Sequence, residues 1–199
     1  VKPNSQYVLF AMDFGQLAEL NKTAHENGLL SILDHKLSDI GPSNENAIKL
    51  MGRAGFDAFT FCPFAGNLKE TTQMAHKEGL GIFCLTLMSN PEAVVLKTAD
   101  AGGAPMYERI ALDAHKYKTD GLVVGTTGHV TRDDITKIRS IAGDDKIFLC
   151  PGIGAQGGDI EKLKSAGRNI LVNVGRSIIL DKDPKKAAEK FHGLLKVLN

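Results

Sequence analysis

The sequence predicts an α/β fold, a (β/α)8 barrel met from near the end of its second strand onward, on three observations. Helical patterns repeatedly end in glycine and pass straight into apolar runs, at Gly28, Gly55, Gly79, Gly143 and Gly167, spaced 24 to 27 residues apart except between Gly79 and Gly143. The apolar runs are near-continuous rather than alternating, the mark of parallel strands covered on both faces. Charged residues gather at the end of the first full run, and glycines follow the fifth. Glycine is the expected C-terminal cap of a helix, and a strand followed by a helix at this short period is a βα array.

Taken in order, residues 1–3 read as the stub of a strand and residues 5–27 as a helix. Strands are expected at 29–34, 57–62, 81–88, 121–126, 146–151 and 169–175. The long interval before the fourth strand holds an extended connection, 89–103, and a helix, 105–117. Six strands and a stub fall short of eight, and a barrel of this type takes about 250 residues. The chain also starts at Val1 rather than at methionine. The expectation is one barrel domain over residues 1–199 in which the first strand, first helix and most of the second strand are absent. That segment amounts to roughly 20–40 residues. An open doubly wound sheet is the rival fold, and the two chemically loaded strand ends favour the barrel.

Bulk properties narrow the function. A net charge of +1 without a long basic run argues against nucleic acid or an anionic membrane as the main partner. No apolar stretch is long enough for a membrane span, and no signal peptide is visible. Cys62, Cys84 and Cys150 sit in separate apolar runs, without C-x-x-C spacing. Reduced, buried thiols in a cytoplasmic protein are expected.

The densest chemistry is Asp34-His35-Lys36-Leu37-Ser38-Asp39-Ile40. Along a strand, Asp34 and Lys36 share one face and His35 takes the other. Asp39 comes three residues after Lys36. Charges near a core are costly unless paired, so two carboxylates around an ammonium imply a purpose. Carboxylates beside a lysine hold it protonated and aim its proton, which favours general acid over Schiff-base chemistry. The histidines lack metal-ligand spacing, no Ser-His-Asp or Cys-His arrangement is apparent, and of the six only His129, in a loop, stays open for function.

A second site follows the strand at 146–151: Pro151-Gly152-Ile153-Gly154-Ala155-Gln156-Gly157-Gly158-Asp159. Its G-x-G-x-x-G is a weak dinucleotide signal, because the acid expected at the end of the next strand is missing. That strand ends in Val174-Gly175-Arg176-Ser177 instead. Barrels place phosphate on the loops after their last two strands, where glycines allow close approach of the backbone. Arg176 adds a bidentate grip and Gln156 an amide on a loop able to close. A plain surface turn with an ordinary arginine is the bland alternative.

Asp34-x-Lys36-x-x-Asp39-Ile40, the run from Pro151 to Asp159, and Val174-Gly175-Arg176-Ser177-Ile178 together resemble the orotidine 5'-phosphate decarboxylase family, in order along nearly the whole chain. The first motif is shared by a wider superfamily; the second is more specific to the decarboxylases. The resemblance implies a reaction without cofactor or metal, in which orotidine 5'-monophosphate loses CO₂ to give UMP. It implies that Lys36 delivers a proton to C6 and that Asp34 sits against the leaving carboxylate. Asp39 and Ile40 are implied to reach into the site of a second subunit, with Ser43 near the ribose, so a homodimer with shared sites is expected. Ser89 matches the serine facing the pyrimidine. Gln156, Gly175 and Arg176 match the phosphate binders, and Pro151, Ile153 and Gly154, beside Gln156, are expected to bind substrate with them. Lys2 falls where the family carries a lysine that contacts the ribose and orients the catalytic carboxylate. The family's earlier ribose-binding aspartate has no counterpart among these residues. Two rivals stand beside this reading: a Mg²⁺-dependent sugar-phosphate decarboxylase or aldolase of the same superfamily, and a phosphate-ligand binder without turnover.

Overall fold

The computed structural model describes residues 1–153 and 160–196. They form two compact units, one of Val1–Leu85 with Asp113–Gly121 and one of Thr86–Leu112 with the described residues from Leu122 onward. The strands are β1 (Ile32–Leu37), β2 (Ala58–Phe61), β3 (Gly81–Leu87), β4 (Gly121–Val124), β5 (Ile147–Pro151) and β6 (Ile170–Asn173), hydrogen-bonded in chain order. Successive neighbours joined in chain order, with helices between them, are the βα array predicted from the punctuation.

In the first unit, β1 pairs parallel with β2 and β2 with β3. β2 is buried along its whole length, and β3 after its first residue. Phe59, Phe61 and Ile82 are fully enclosed. Burying each such side chain contributes roughly 1.5–3 kcal/mol. Around them pack α1 (Ser5–Val8), α2 (Phe14–Glu26), α3 (Gly41–Arg53) and α4 (Leu68–Lys77). The glycine caps are as expected: Gly28, Gly55 and Gly79 take φ of 69°, 84° and 75°, where a β-carbon is disfavoured.

The helix expected over 5–27 is two helices. Asn4 caps α1 through a 2.9 Å bond from the Gln6 amide, and Asp13 opens α2 in a reciprocal capping box with Gln16, both bonds 2.9 Å. Asp13-x-x-Gln16 was the legible signal for that restart. The first strand is also displaced, from the expected 29–34 to Ile32–Leu37. Leu29 and Leu30 stay 47% and 70% exposed. Pairing rather than apolarity decides the strand: the Cys62 amide donates to the Leu37 carbonyl at 2.8 Å, which carries the ladder past the charged residues. Residues 1–4 do run as a parallel stub beside β1, with the Ile32 amide donating to the Val1 carbonyl and the Asp34 amide to the Pro3 carbonyl, each at 2.9 Å.

The second unit holds β4, β5 and β6 with α5 (Val95–Thr98), α7 (Arg132–Ala142), α8 (Ile160–Leu163), α9 (Arg176–Ile179) and α10 (Pro184–Leu195); α6 (Met106–Lys116) straddles the two segments. β5 and β6 pair parallel from Phe148–Ile170 to Pro151–Asn173. The connection expected to be extended over 89–103 contains a 3-10 turn, Pro91–Val94, running into α5. Pro91 opens that turn, where a missing amide costs nothing. Cys62, Cys84 and Cys150 carry no disulfide. Burial holds the Cys84 thiol far above its ordinary range and pushes Cys150 to about 12, so neither is a thiolate nucleophile at neutral pH. Among the described residues no helix is long and apolar enough to cross a membrane.

Candidate active site

Asp34 is the centre of the charged cluster. Its side chain is 12% exposed, and four donors converge on it. Lys2 Nζ lies 2.5 Å and Asn4 Nδ2 3.2 Å from Oδ2; Lys36 Nζ lies 2.6 Å and the Thr60 hydroxyl 3.1 Å from Oδ1. The stub explains half of this. Lys2 and Asn4 are two residues apart on an extended segment, so both face Asp34. Burial pushes the Asp34 carboxyl up, but hydrogen bonds and charge from Lys2 and Lys36 outweigh it and hold the group below its ordinary range. The result is a buried carboxylate kept ionised by two ammonium groups.

Lys36 supplies the other half through an irregular backbone. The register runs Leu33 to Phe59 and then Leu37 to Phe61, so β1 advances four residues while β2 advances two. Inside that bulge Lys36 takes φ 55°, a left-handed conformation uncommon for a residue with a β-carbon. His35 is half-buried behind it, and burial followed by the Lys36 charge lowers its pKa. Neutral His35 therefore adds no competing cation.

Asp39 departs from the expected Asp-Lys-Asp grouping. Its carboxylate accepts the Ile40 amide at 2.8 Å, beside the start of α3, while among the described residues the ion pair of Lys36 is with Asp34. Unpaired amides at a helix start draw a nearby carboxylate, which is why Asp39 turns there. Its backbone is pinned by buried Asn44, through bonds of 3.2 and 2.6 Å, and by Asn67 at 2.9 Å. Ile40, 62% exposed, and Ser43 sit exposed beside it at the helix start.

In the second unit, Ser89 lies two residues past β3, half-buried. The loop after β4 presses against its backbone. A β-carbon on Gly125 would meet the Ser89 Cβ and amide nitrogen at 2.8 Å, and one on Gly128 would meet the Ser89 carbonyl oxygen at 2.6 Å. Those two glycines are therefore part of how Ser89 is seated. Pro151 ends β5, its carbonyl held by Thr126 Oγ1 at 3.1 Å, and Ile153 is buried just beyond. Gly175 precedes α9 and Arg176 begins it, exposed. Because Pro151 pairs with Asn173, the chain leaves β5 and β6 at the same end of the unit. Gly154 and Gln156 lie outside the described residues.

The sequence matches the model of the Orotidine 5'-phosphate decarboxylase / HUMPS family over residues 2–191. The chain belongs to that family. It is 34% identical over 197 aligned residues to the orotidine 5'-phosphate decarboxylase of Dechloromonas aromatica, covering 94% of this chain and 72% of that protein. Against the enzyme of the same name from Azoarcus it is 37% identical over 166 residues, covering 78% and 60%. The chain thus spans between 60% and 72% of these curated relatives. Among solved structures it is similar to Leishmania donovani UMP synthase, with a TM-score of 0.86, 26% identity, and coverage of 99% of this chain and 46% of that one. Leishmania donovani OMP decarboxylase gives a TM-score of 0.84 at 24% identity, covering 99% and 80%. The fold is that of part of a decarboxylase barrel, with six strands alternating with helices among the described residues, and the βα array is what the alternating punctuation predicted.

Of the positions that carry the family resemblance, Lys2, Asp34 and Lys36 meet in one charged cluster. Asn4 and Thr60 also hold the Asp34 carboxylate and Asn44 holds the Asp39 backbone, and none of the three was among the expected residues. Asn4 was signalled by its two-residue spacing from Lys2. Thr60 was signalled by being the polar residue of an apolar run. Nothing in the sequence distinguished Asn44 from a surface asparagine.

Proposed function

We propose that this chain decarboxylates orotidine 5'-monophosphate to UMP, without metal or cofactor, in pyrimidine biosynthesis in the cytoplasm. The observation that carries the reading is the buried Asp34 carboxylate, held ionised between Lys2 and Lys36. An ionised carboxylate beside the substrate's own carboxylate is repulsive in the ground state. The repulsion fades as CO₂ leaves and the negative charge moves to C6. The Lys36 ammonium then meets that charge and delivers its proton to C6. Lys2 keeps Asp34 charged and contacts the ribose. Ser89 recognises the pyrimidine. Arg176 and the Gly175 backbone, with Gln156, Pro151, Ile153 and Gly154, hold the phosphate. Asp39, Ile40 and Ser43 serve the neighbouring subunit of a homodimer, in keeping with an Asp39 that turns away from its own Lys36.

The test is loss of the ultraviolet absorbance of orotidine 5'-monophosphate in EDTA. Turnover is expected from the wild-type chain and none from Lys36→Ala, which still binds UMP by calorimetry. Substantial residual turnover in that variant removes Lys36 as the proton donor. Arg176→Ala is expected to raise KM by about 10- to 100-fold, the loss of a charge-assisted bidentate grip. Silence from folded wild-type protein, with turnover of a hexulose phosphate on adding Mg²⁺, moves the assignment to the sugar-phosphate branch.

A further inference from the structure

We infer that Thr60 is the positioning residue of the Asp34–Lys36 pair, its hydroxyl pinning the bulge of β1 so that carboxylate and ammonium meet at one point. The consequence for turnover rests on the function proposed above; the contact itself does not.

Thr60 lies in the middle of β2, 1% exposed, in a strand buried at every residue. A hydroxyl buried so completely needs its hydrogen bonds met within the protein. Both of its partners are on β1. It accepts the Lys36 amide at 2.9 Å and donates to Asp34 Oδ1 at 3.1 Å. The amide it receives belongs to the residue at φ 55°, where β1 slips against β2. In a regular parallel ladder that amide would find a backbone carbonyl of the neighbouring strand. Here the side chain of β2 takes the carbonyl's place, and a left-handed residue of this kind persists only where its surroundings hold it. The same oxygen also touches the carboxylate atom that receives Lys36 Nζ at 2.6 Å. One side-chain atom thus ties the backbone of the proposed proton donor to the carboxylate that faces it. Moving it moves both, and a displacement near 1 Å costs about 10²-fold in rate.

Thr60→Val keeps the shape and deletes both bonds, and Thr60→Ser keeps both bonds and deletes only the methyl. The expected result is a kcat lowered about 10- to 100-fold in Thr60→Val with KM within about threefold, and recovery of most of that loss in Thr60→Ser. A merely structural threonine would lower thermal stability in both variants and leave kcat of the folded fraction unchanged. A second readout needs no turnover. In ¹³C NMR, with the Asp34 carboxyl assigned through Asp34→Asn, its titration midpoint should rise by about one pH unit in Thr60→Val, since a hydrogen-bond donor to the charged form is lost. If Thr60→Val does not fold, Thr60→Cys carries the same tests with a weak donor of similar size. Unchanged kcat together with an unchanged midpoint overturns the inference. Absence of wild-type turnover overturns the proposed function instead, and the NMR titration then decides the Thr60 contact by itself.

Discussion

Asp34 shows how much of this protein's chemistry depends on where charge is buried. Four donors surround a carboxylate that water scarcely reaches. Its folded pKa lies below the ordinary 3.8, so the ionised form is stabilised by folding. For a depressed carboxylate the sign is definite. The stabilisation is fully present above the unfolded value and is lost as pH falls through the folded one. Urea unfolding followed from pH 7 down to pH 2 is therefore expected to show a stability decline beginning near pH 4, to which Asp34 contributes. Asp34→Asn should be less stable at pH 7, by about 1–3 kcal/mol, and show a shallower decline over that acid window. An identical acid dependence in the variant would mean that the two lysines do not hold the carboxylate in solution.

At the scale of elements, a stub, a bulge and a loop do the positioning. The stub at residues 1–4 and the bulge of β1 bring Lys2 and Lys36 to Asp34 from two sides. The loop after β4 does the same for Ser89, with Gly125 and Gly128 packed against its backbone. Lys97 braces that loop by donating to the His129 carbonyl at 3.1 Å while paired with Asp134 at 2.6 Å. Gly128 combines φ +59° with the close approach to the Ser89 carbonyl oxygen, so both conformation and space require glycine. Gly128→Ala is expected to lower affinity for UMP about tenfold or more while leaving affinity for ribose 5-phosphate near wild type, measured by calorimetry. Equal losses for both ligands would show that the loop serves general stability rather than the seat of Ser89. A repeated staple supports the array elsewhere. Ala24-His25 with Gly28 and Ala75-His76 with Gly79 carry the same spacing. His25 pairs with Asp57 at 2.9 Å and His76 with Asp120 at 3.0 Å, each aspartate also accepting an amide at a strand start.

For the molecule as a whole, Asp39, Ile40 and Ser43 are exposed, and the homodimer proposed above makes a definite demand on them. Lys36→Ala and Asp39→Ala supply a direct check. Each variant alone should be inactive. Mixed after reversible unfolding, they should regain about a quarter of wild-type turnover, because half of the dimers then hold one intact site. No recovery, with heterodimers present by mass spectrometry, would place Asp39 in its own subunit's site. Phe64, 92% exposed just past β2, is a further apolar residue on this unit.

The order of strands and helices and their parallel pairing were legible along the chain, as was the gathering of charge at Asp34 and Lys36, because periodicity, glycine caps and clustered charge are local signals. Strand limits were less legible. Leu29 and Leu30 looked like strand by apolarity, yet the ladder begins at Ile32 and continues through the charges, since hydrogen-bond pairing with β2 selects the residues. The single helix expected over 5–27 divides for a local reason, the Asp13–Gln16 capping box. Folding alone brings the Asp39 carboxylate to the Ile40 amide, Asn4 and Thr60 to Asp34, and Asn44 to the Asp39 backbone. Those contacts join residues up to 30 positions apart. The Thr60 contacts follow from a register slip between two strands and the Asn4 contact from residues 1–4 pairing beside β1, neither of which composition or spacing along one strand can express.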